Sequence, residues 1–440
     1  MAVINYGREI EIRREVDVFV GGGGPAGVAA AVAAAREGAS VFLAESTCSV
    51  GGMGTIGMVP EFMPVSDGVN LLCAGLGKEI MDKAYAYSDK SHEYMKINKE
   101  ALKRAYDDIM ADSGADFRFA SQIIDVKARD GKIDYVILSC KSGIYAVKAK
   151  MVIDCTGDGD ICAMAGADFA VGDENGAIMP ATLCSLWTGI DWENTMDAPP
   201  HQSFVEQAFA EGVLPVCDRN LPGVRRVAAN CGGGNVGHAF GVDGTDEASV
   251  TKAMAEQRCL LPAYQIYFNK YIRGFENARI ISTAEVLGVR ASRRITGDYV
   301  LKLADFKARA VFSDEIGRYC YSVDNHPATP DQAAFEKFRQ EFLEDYHYGV
   351  GDSYGIPYRA LTPKGLSNVY TAGRCISTDH YMQASVRVMP GCYITGQAAG
   401  TAASLAAASE GDVRSVDVTE LQKTLRKNGV YLPATAPERL

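Results

Sequence analysis

Short apolar runs alternate with glycine-rich and helical segments at the start of the chain. The mostly apolar residues 16–20 predict a buried strand, and the glycines after them open an alanine-rich helix that ends near Gly38. Residues 40–44 predict a second strand, and Glu45 stands at its end. This order of elements predicts a βαβ unit with a ligand crevice at the carboxyl ends of its strands.

Further periodic segments follow, although the middle of the chain lacks a βαβ rhythm. Helical patterns cover residues 75–86 and 98–113, where Asn98 is the expected N-cap, and a capping helix is predicted over 416–427. Short strands separated by glycine turns predict a small antiparallel meander over residues 116–119, 123–128, 133–139 and 144–147.

Two later strands end in polar or glycine-containing sequence. Residues 149–155 run into Thr156-Gly157-Asp158, and residues 366–372 run into Gly373-Arg374. A helix of small residues is then predicted to begin at Pro390-Gly391, and its small side chains permit a close approach to another backbone or to a flat ring. Both strand ends are expected at the ligand crevice.

Composition narrows the class of protein. The 440 residues carry 44 Lys and Arg against 55 Asp and Glu, a net charge of −11, which argues against nucleic-acid or anionic-membrane partners. The first residues lack the apolar core of a secretory signal, so we expect a cytoplasmic protein. The 12 cysteines are scattered without metal-ligand spacing, and we therefore expect free thiols and no metal site.

The glycine motif indicates which class of ligand the crevice binds. In Gly22-x-Gly24-x-x-Gly27, the first glycine permits a tight turn, the second lets the backbone approach a pyrophosphate, and the third lets helix and strand pack closely. Glu45 follows after about 20 residues, the spacing of an acid that holds a ribose hydroxyl. By itself this motif allows either NAD or FAD.

A second GxGxxG match at residues 231–237 has the wrong context. The residues before it make a poor buried strand, and no helical pattern follows it. We interpret it as a loop, which leaves no built-in NAD(P)H site. The first motif, the Thr156–Asp160 strand end and the segment after Gly373 then point to one crevice, and a nucleotide site built from both ends of a chain is typical of FAD enzymes.

Two segments carry a family resemblance. One reads GVRASRRITGDYVL from Gly288, and the other reads AGRCISTDHYMQASVRVMPGCYITGQAAGTAA from Ala372. With the N-terminal motif, they resemble the FAD-dependent oxidoreductase family of the glutathione-reductase-like superfamily, over nearly the whole chain. The resemblance implies an α/β fold with two domains. One is a Rossmann-like FAD/NAD(P)-binding domain with a three-layer ββα arrangement (1–165 with 356–440), and the other is an inserted α+β substrate or cap domain (166–355).

The resemblance also implies noncovalent FAD and a set of residues around it. The adenosine end would lie on the first motif and Glu45, and the Gly51–Gly54 segment along the ribityl chain and the ring. Gly373-Arg374 would reach the pyrophosphate or the ribityl chain, and the helix from Gly391 would lie at the ring. Cys392 is either a thiol activated by that helix or, as we favour, a small residue that packs under the ring. The implied cofactor-binding residues are Gly22, Gly24, Pro25, Ala26, Gly27, Glu45, Ser46, Gly51, Gly52, Met53, Gly54, Thr156, Gly157, Asp158, Gly373, Arg374, Gly391 and Cys392.

Basic residues and histidines are the candidates for substrate chemistry. Arg290, Arg293 and Arg294 would share one face if their segment were helical, either as an anion clamp or as structural ion pairs. The loop between Gly373 and Gly391 brings His380 toward the ring, as the leading acid or base, with Arg387 as an anchor. His326 and Tyr358 are further candidates, whereas the remaining histidines, His92, His201, His238 and His347, carry no motif.

These features predict an oxidoreductase that transfers a hydride between a small polar or anionic substrate and flavin N5. The electron donor or acceptor and the oligomeric state have no signature in the sequence. The alternative is a flavin-binding electron-transfer or redox-sensing protein without a small-molecule substrate. The long inserted segment favours an enclosed pocket and hence the first reading.

Overall fold

The fold is described from a computed structural model that covers residues 3–4, 7–195, 203–409 and 411–433. Its strands, in chain order, are β1 (Ile12–Gly21), β2 (Val41–Ala44), β3 (Asp116–Arg118), β4 (Ser121–Arg129), β5 (Lys132–Cys140), β6 (Gly143–Asp154), β7 (Phe169–Ala170), β8 (Ser185–Thr188), β9 (Gly223–Ala228), β10 (Cys231–Asn235), β11 (Arg279–Thr283), β12 (Arg294–Ile295), β13 (Glu315–Tyr319), β14 (Tyr354–Pro357) and β15 (Val369–Thr371).

The α-helices are α1 (Pro25–Arg36), α2 (Leu76–Tyr87), α3 (Lys99–Ser113), α4 (Asp160–Met164), α5 (Val205–Ala210), α6 (Glu247–Tyr271), α7 (Leu303–Lys307), α8 (Gln332–Gln340), α9 (His380–Val386), α10 (Met389–Ala407) and α11 (Val418–Lys427). The predicted helices near residues 75, 98, 390 and 416 are all present, and Asn98 caps α3 by accepting from the N–H groups of Glu100 and Ala101. None of the helices in the described ranges is long and apolar enough to cross a membrane.

A seven-stranded sheet forms the main body. Strands β3, β2, β1, β6 and β15 are parallel neighbours in that order. It is the second half of β6 that pairs with β15. The first half of β6 instead continues into an antiparallel meander with β5 and β4. The predicted strand at 116–119 therefore belongs to the parallel edge rather than to the meander, and the two predicted strands at 144–147 and 149–155 are one strand.

Side chains on the two faces of the parallel sheet pack against different elements, which gives the domain three layers. On one face of the parallel sheet, Val18, Val20 and Leu43 pack with α1, α3 and α10. On the other face, Phe19 and Phe42 pack against the meander. Successive side chains of a strand point to opposite faces, so both faces are covered and the strands read as continuous apolar runs. The predicted three-layer ββα arrangement is confirmed.

A separate antiparallel sheet lies in the inserted region, in the order β11, β8, β10, β9. With α6 it forms a second core around Trp187, Tyr264 and Phe268. The second GxGxxG match coincides with β10, so it is a strand rather than the predicted loop, and the residues before it form β9. The expectation of no proper strand before the match was therefore wrong, but the other reason for rejecting it as a nucleotide turn holds, because the next helix in the described residues, α6, begins only at Glu247. The domain boundaries at 165/166 and 355/356 stay a prediction.

Candidate active site

The glycine turn between β1 and α1 has the geometry that a pyrophosphate needs. Gly22 has a φ of +90°, a left-handed conformation that favours glycine, and a Cβ on Gly27 would lie 1.8 Å from the Gly22 carbonyl oxygen. A Cβ on Gly24 would meet nothing within 4 Å, because this residue faces the cavity described below. Pro25 and Ala26 open α1 beside it, and the free N–H groups of a helix N-terminus favour an anion there.

Glu45, which follows β2, stabilises this turn through hydrogen bonds. Its buried carboxylate accepts from the Gly23 N–H through Oε2 and from the Thr47 N–H through Oε1, each at 2.7 Å. Glu45 and Ser46 both line the cavity. The carboxylate is therefore positioned beside the pyrophosphate turn, where its role at a ribose stays a prediction.

The next glycine-rich segment wraps around the turn. The Gly51 N–H donates to the Gly23 carbonyl at 2.7 Å, and Gly52 and Met53 line the cavity. Gly51 and Gly54 instead face the protein: a Cβ on Gly51 would lie 2.4 Å from Tyr106, and one on Gly54 would lie 2.8 Å from Leu102. Gly52 and Met53 thus face the cavity, whereas Gly51 and Gly54 permit close packing inside the protein.

Asp154, which the sequence reading did not single out, organises the end of β6. Its buried carboxylate accepts from Thr156 Oγ1 at 2.7 Å and from the Cys162 N–H at 2.9 Å. These bonds hold the turn so that Thr156, Gly157 and Asp158 line the cavity. Its signal in the sequence was an acidic residue at the end of an apolar strand.

Arg374 closes the cavity from the β15 side. Its guanidinium lies 2.9 Å from the Asp158 carboxylate and donates to Ser292 Oγ at 2.9 Å. Gly373, with a φ of +83°, lines the cavity beside it. A ligand phosphate at Arg374 would share this arginine with Asp158.

The start of α10 supplies another wall, through Met389 and Cys392. The Cys392 thiol is buried and donates to the Arg387 carbonyl at 3.0 Å, and burial raises its pKa to about 12. This shift disfavours the activated thiolate and agrees with the packing role. Gly391 faces away from the cavity, because a Cβ there would lie 2.2 Å from the Val386 carbonyl oxygen.

One cavity of about 810 Å³ joins all these walls to the inserted region. Its far side is lined by Thr182, Asn235, Arg290, Asp324 and His326. Volumes of roughly 300–1,000 Å³ are usual for cofactor and substrate pockets. The open face at Gly24, the helix N-terminus and the cation at Arg374 fit a dinucleotide such as FAD.

The three arginines at 290, 293 and 294 do not share a face, because their segment is not helical. Arg290 donates to the Pro180 carbonyl and to Thr182 Oγ1 beside the cavity. Arg293 pairs with Asp160 at 2.7 Å. Arg294 donates to the carbonyl oxygens of Gly172 and Thr378. The premise of a single arginine cluster was wrong, and only Arg290 lines the large cavity.

Asp324 and His326 line the large cavity together with Arg290, and His238 contacts His326. Asp324 is 3.2 Å from Arg387 Nη2 and 3.1 Å from His326 Nε2. His326 Nδ1 is in turn 3.0 Å from His238 Nε2. His238, which the sequence reading set aside, is thus linked to the cavity through a residue 88 positions away.

His380 and Tyr358 lie outside the large cavity. His380 lines a smaller cavity of about 180 Å³ with Arg294 and Gln383, and His326 is in the walls of both cavities. Tyr358 is buried, and its hydroxyl group bonds to Tyr370 and to the Val413 carbonyl. Of the histidines proposed from the sequence, His326 therefore has the more direct access to the large cavity.

Comparison with solved structures returns proteins of low sequence identity. A geranylgeranyl bacteriochlorophyll reductase-like protein from Thermoplasma acidophilum is 13% identical with a TM-score of 0.47, covering 95% of this chain and 84% of that one. L-proline dehydrogenase from P. horikoshii is 12% identical with a TM-score of 0.44, covering 93% and 98%. No curated protein matches the chain in sequence.

The family comparison is more specific. A family model described as FAD dependent oxidoreductase matches residues 17–425. This range includes the glycine turn, the β6 strand end and the start of α10, which are the walls of the large cavity. The chain therefore belongs to the FAD dependent oxidoreductase family, with FAD as its cofactor.

Proposed function

We propose that this enzyme transfers a hydride between a small anionic substrate and the flavin, with the anionic group bound between Arg290 and Arg387. The observation that carries the proposal is the environment of Arg290. Its guanidinium is buried, and the hydrogen bonds it donates to described residues all go to neutral acceptors: the Pro180 carbonyl, Thr182 Oγ1 and Asn235 Oδ1. A buried cation without a carboxylate is costly, and an anionic substrate group would supply the missing charge.

Arg387 adds a second donor on the same wall. Its Nη2 faces Asp324, whereas its Nε is buried without a partner among the described residues. Asp324 is thus in contact with Arg387, and Arg290 has no carboxylate in direct contact among the described residues, although the charges of Asp324 and Asp218 act on it. Burial and the charge of Arg387 lower the pKa of Arg290 to about 10, so this guanidinium is still charged at neutral pH.

His326 is the proposed acceptor of the substrate proton. Bound FAD supplies the hydride acceptor, N5. The substrate C–H hydrogen leaves with its electron pair, and the proton of its O–H or N–H group passes to His326. Burial and the charge of Arg290 lower the pKa of His326 to about 3, so the ring is neutral at neutral pH but is a weak base. His380 lines the smaller cavity and not the large one, so its position supports a role as acid or base less directly.

An anaerobic substrate screen tests the proposal. The holoenzyme is mixed with hydroxy acids, amino acids and enoates, and with neutral sugars and amines as controls, and loss of the yellow flavin absorbance is followed; for enoates, the chemically reduced enzyme is used and return of the colour is followed. We expect only compounds with an anionic group to change the flavin rapidly. Equal rates with neutral compounds would refute the anion site.

The alternative is an electron carrier without a small-molecule substrate. The far wall of the cavity, with Arg290 and His326, supports an enzyme, because a carrier has no need for polar groups beyond those that hold its flavin. If no compound in the screen reacts while redox proteins reduce the flavin directly, the carrier function is favoured.

The cytoplasm is the compartment we propose. All twelve cysteines are free, and several, including Cys155 and Cys162, are buried. Free thiols in this number favour a reducing compartment. Alkylation of the denatured, unreduced protein isolated from cells should modify all twelve.

A further inference from the structure

The smaller cavity, of about 180 Å³, is lined by two buried side chains that each lack a hydrogen-bond partner. Arg294 is only 6% exposed, and Gln383 is fully buried. Arg294 Nη1 and Gln383 Oε1 have no partner among the described residues. Buried polar atoms are normally paired, so these two atoms indicate that a molecule other than the protein meets them.

The other nitrogens of Arg294 are held by the backbone. Its Nε donates to the Thr378 carbonyl at 3.2 Å, and its Nη2 donates to the Gly172 carbonyl at 2.7 Å. These two bonds fix the guanidinium in the cavity wall. Nη1 is the nitrogen that they leave for a ligand.

The charge of Arg294 is only partly compensated. The charges of Asp379 and Asp173 act on it, but Asp379 accepts from backbone N–H groups of α7 and α9, and Asp173 accepts from two in its own loop. Burial lowers the pKa of Arg294, because these two acids offset only part of the cost of burying its charge. An anionic oxygen at Nη1 would therefore stabilise the guanidinium.

Gln383 adds a second requirement, that the ligand carry a donor. Its amide nitrogen donates to the Arg374 carbonyl at 3.1 Å. A carbonyl can only accept, so this contact fixes the orientation of the amide and leaves Oε1 as the free end. An amide oxygen also only accepts, so its partner must have an O–H or N–H group.

The cavity has room for more than a single water, which needs only about 10–15 Å³. Its other cation, Lys337, lies 3.8 Å from Glu341 on the same helix, α8, and these two charges compensate each other. His326 is in the wall that this cavity shares with the large one. The unpaired atoms of Arg294 and Gln383 are therefore the features that select a ligand.

We propose that the smaller cavity is a second binding site, for a small oxyanion that also carries a hydrogen-bond donor. The anionic oxygen accepts from Arg294 Nη1, and the donor bonds to Gln383 Oε1. Hydroxy acids and inorganic phosphate share this chemistry, since each combines an anionic oxygen with an O–H group. The site does not depend on the proposed function, because Arg290 lines only the large cavity.

Calorimetric titration of the FAD-loaded enzyme with glycolate, inorganic phosphate and acetate tests the ligand class. We expect glycolate, phosphate or both to bind, and the one that binds identifies the source of the anion. Acetate keeps the charge and lacks the donor, so it should bind about 10-fold more weakly than glycolate, the effect of one lost hydrogen bond. Binding of neither glycolate nor phosphate, or equal binding of acetate and glycolate, would overturn the proposal.

Variants locate the bound anion. Arg294→Gln should weaken binding of the probe by at least about 10-fold, the effect of losing a charged hydrogen bond. Lys337→Glu keeps the test decisive if that variant does not fold: it reverses an exposed charge at the cavity and should weaken binding by about 3- to 10-fold. Arg339→Glu is the matched control, because it makes the same change on α8 at an exposed residue outside both cavities, and it should bind within about twofold of the wild type.

Arg290→Gln separates this site from the proposed substrate site. Binding in the smaller cavity should be kept in Arg290→Gln. If Arg290→Gln abolishes binding while Arg294→Gln leaves it unchanged, the anion lies at the flavin, which would overturn the second site and support the proposed function. Equal weakening by Lys337→Glu and Arg339→Glu would also overturn the second site.

Discussion

Arg290 is the residue on which the substrate proposal most depends. Replacement by glutamine removes the charge and keeps a hydrogen-bond donor, so we expect binding of the anionic substrate to weaken by about 10- to 1,000-fold, the range for loss of a buried charged hydrogen bond. The dissociation constant is measured by anaerobic titration of the flavin spectrum. Arg258→Gln, at an exposed arginine that also lines the cavity, is the matched control. If substrate binding weakens equally in both variants, the effect comes from the total charge of the cavity lining rather than from a specific site at Arg290.

Gly24 and Gly27 offer a contrast at one turn. A methyl group on Gly24 enters the cavity, so Gly24→Ala should weaken FAD binding with little change in the unfolding temperature of the apoprotein. A methyl group on Gly27 would collide with the Gly22 carbonyl, so Gly27→Ala should destabilise the fold by about 1–3 kcal/mol. Fluorescence titration with FAD and thermal unfolding of the apoproteins separate the two effects.

The titration of His326 predicts how stability depends on pH. Burial lowers its pKa from 6.5 to about 3, so the folded state binds fewer protons than the unfolded state between these values. The free energy of unfolding should therefore decrease as pH falls from 6.5, by up to about 1.4 kcal/mol per pH unit for this group. Denaturant unfolding should show a weaker dependence in His326→Gln than in His347→Gln. An identical dependence in the two variants would contradict the assignment.

Residue roles that depend on local backbone were predictable, and those that depend on distant partners were not. The roles of Gly22, Gly24 and Gly27 follow from one turn and agree with the geometry. The cluster of three arginines failed because residues 289–293 are not helical, so the spacing carried no information about a shared face. His238 was missed because its partners, Asp218 and His326, come from other parts of the chain.

Among the elements, the α1–α10 contact holds the two ends of the chain together. A Cβ on Gly396 would lie 2.2 Å from the Ala26 carbonyl oxygen, and one on Gly400 would lie 2.1 Å from that of Ala30. The small residues of α10 thus permit contact with another backbone, one of the two uses predicted for them.

Substitution at this contact should be costly. Gly400→Ala should lower the free energy of unfolding by about 1–3 kcal/mol, because α1 and α10 must move apart. Gly349→Ala is the control, since its Cβ would meet only Asp352 Oδ2, at 3.5 Å. Chemical denaturation measures both, and equal stability of the two variants would contradict the packing described.

Element types were predicted well where the pattern was periodic, and pairing was predicted less well. The strand at Asp116–Arg118 was assigned to the meander because it is close to it in sequence, yet it pairs in parallel with β2. The long strand β6 was divided in two because its halves have different neighbours, β5 and then β15. The pattern of apolar and polar side chains along a strand shows which face is buried, but it does not show which strand is the neighbour.

At the scale of the whole molecule, one cavity is lined by residues of both the three-layer fold and the inserted region. The three-layer fold at the two ends of the chain was predictable because its strands and helices are buried and periodic. The arrangement of the inserted sheet was not, because short antiparallel strands such as β8 and β10 carry little periodicity. Yet this sheet region supplies Thr182 and Asn235, the neutral partners of Arg290.

The central claim is that the flavin and an anion site share one cavity. Anaerobic rapid mixing of the holoenzyme with a reactive acid and with its neutral amide, in the wild type and in Arg290→Gln, tests it most directly. We predict that the wild type prefers the acid by at least about 10-fold, and that Arg290→Gln loses this preference by slowing with the acid alone. Equal flavin reduction by acid and amide in the wild type, or an unchanged preference in Arg290→Gln, would contradict the claim.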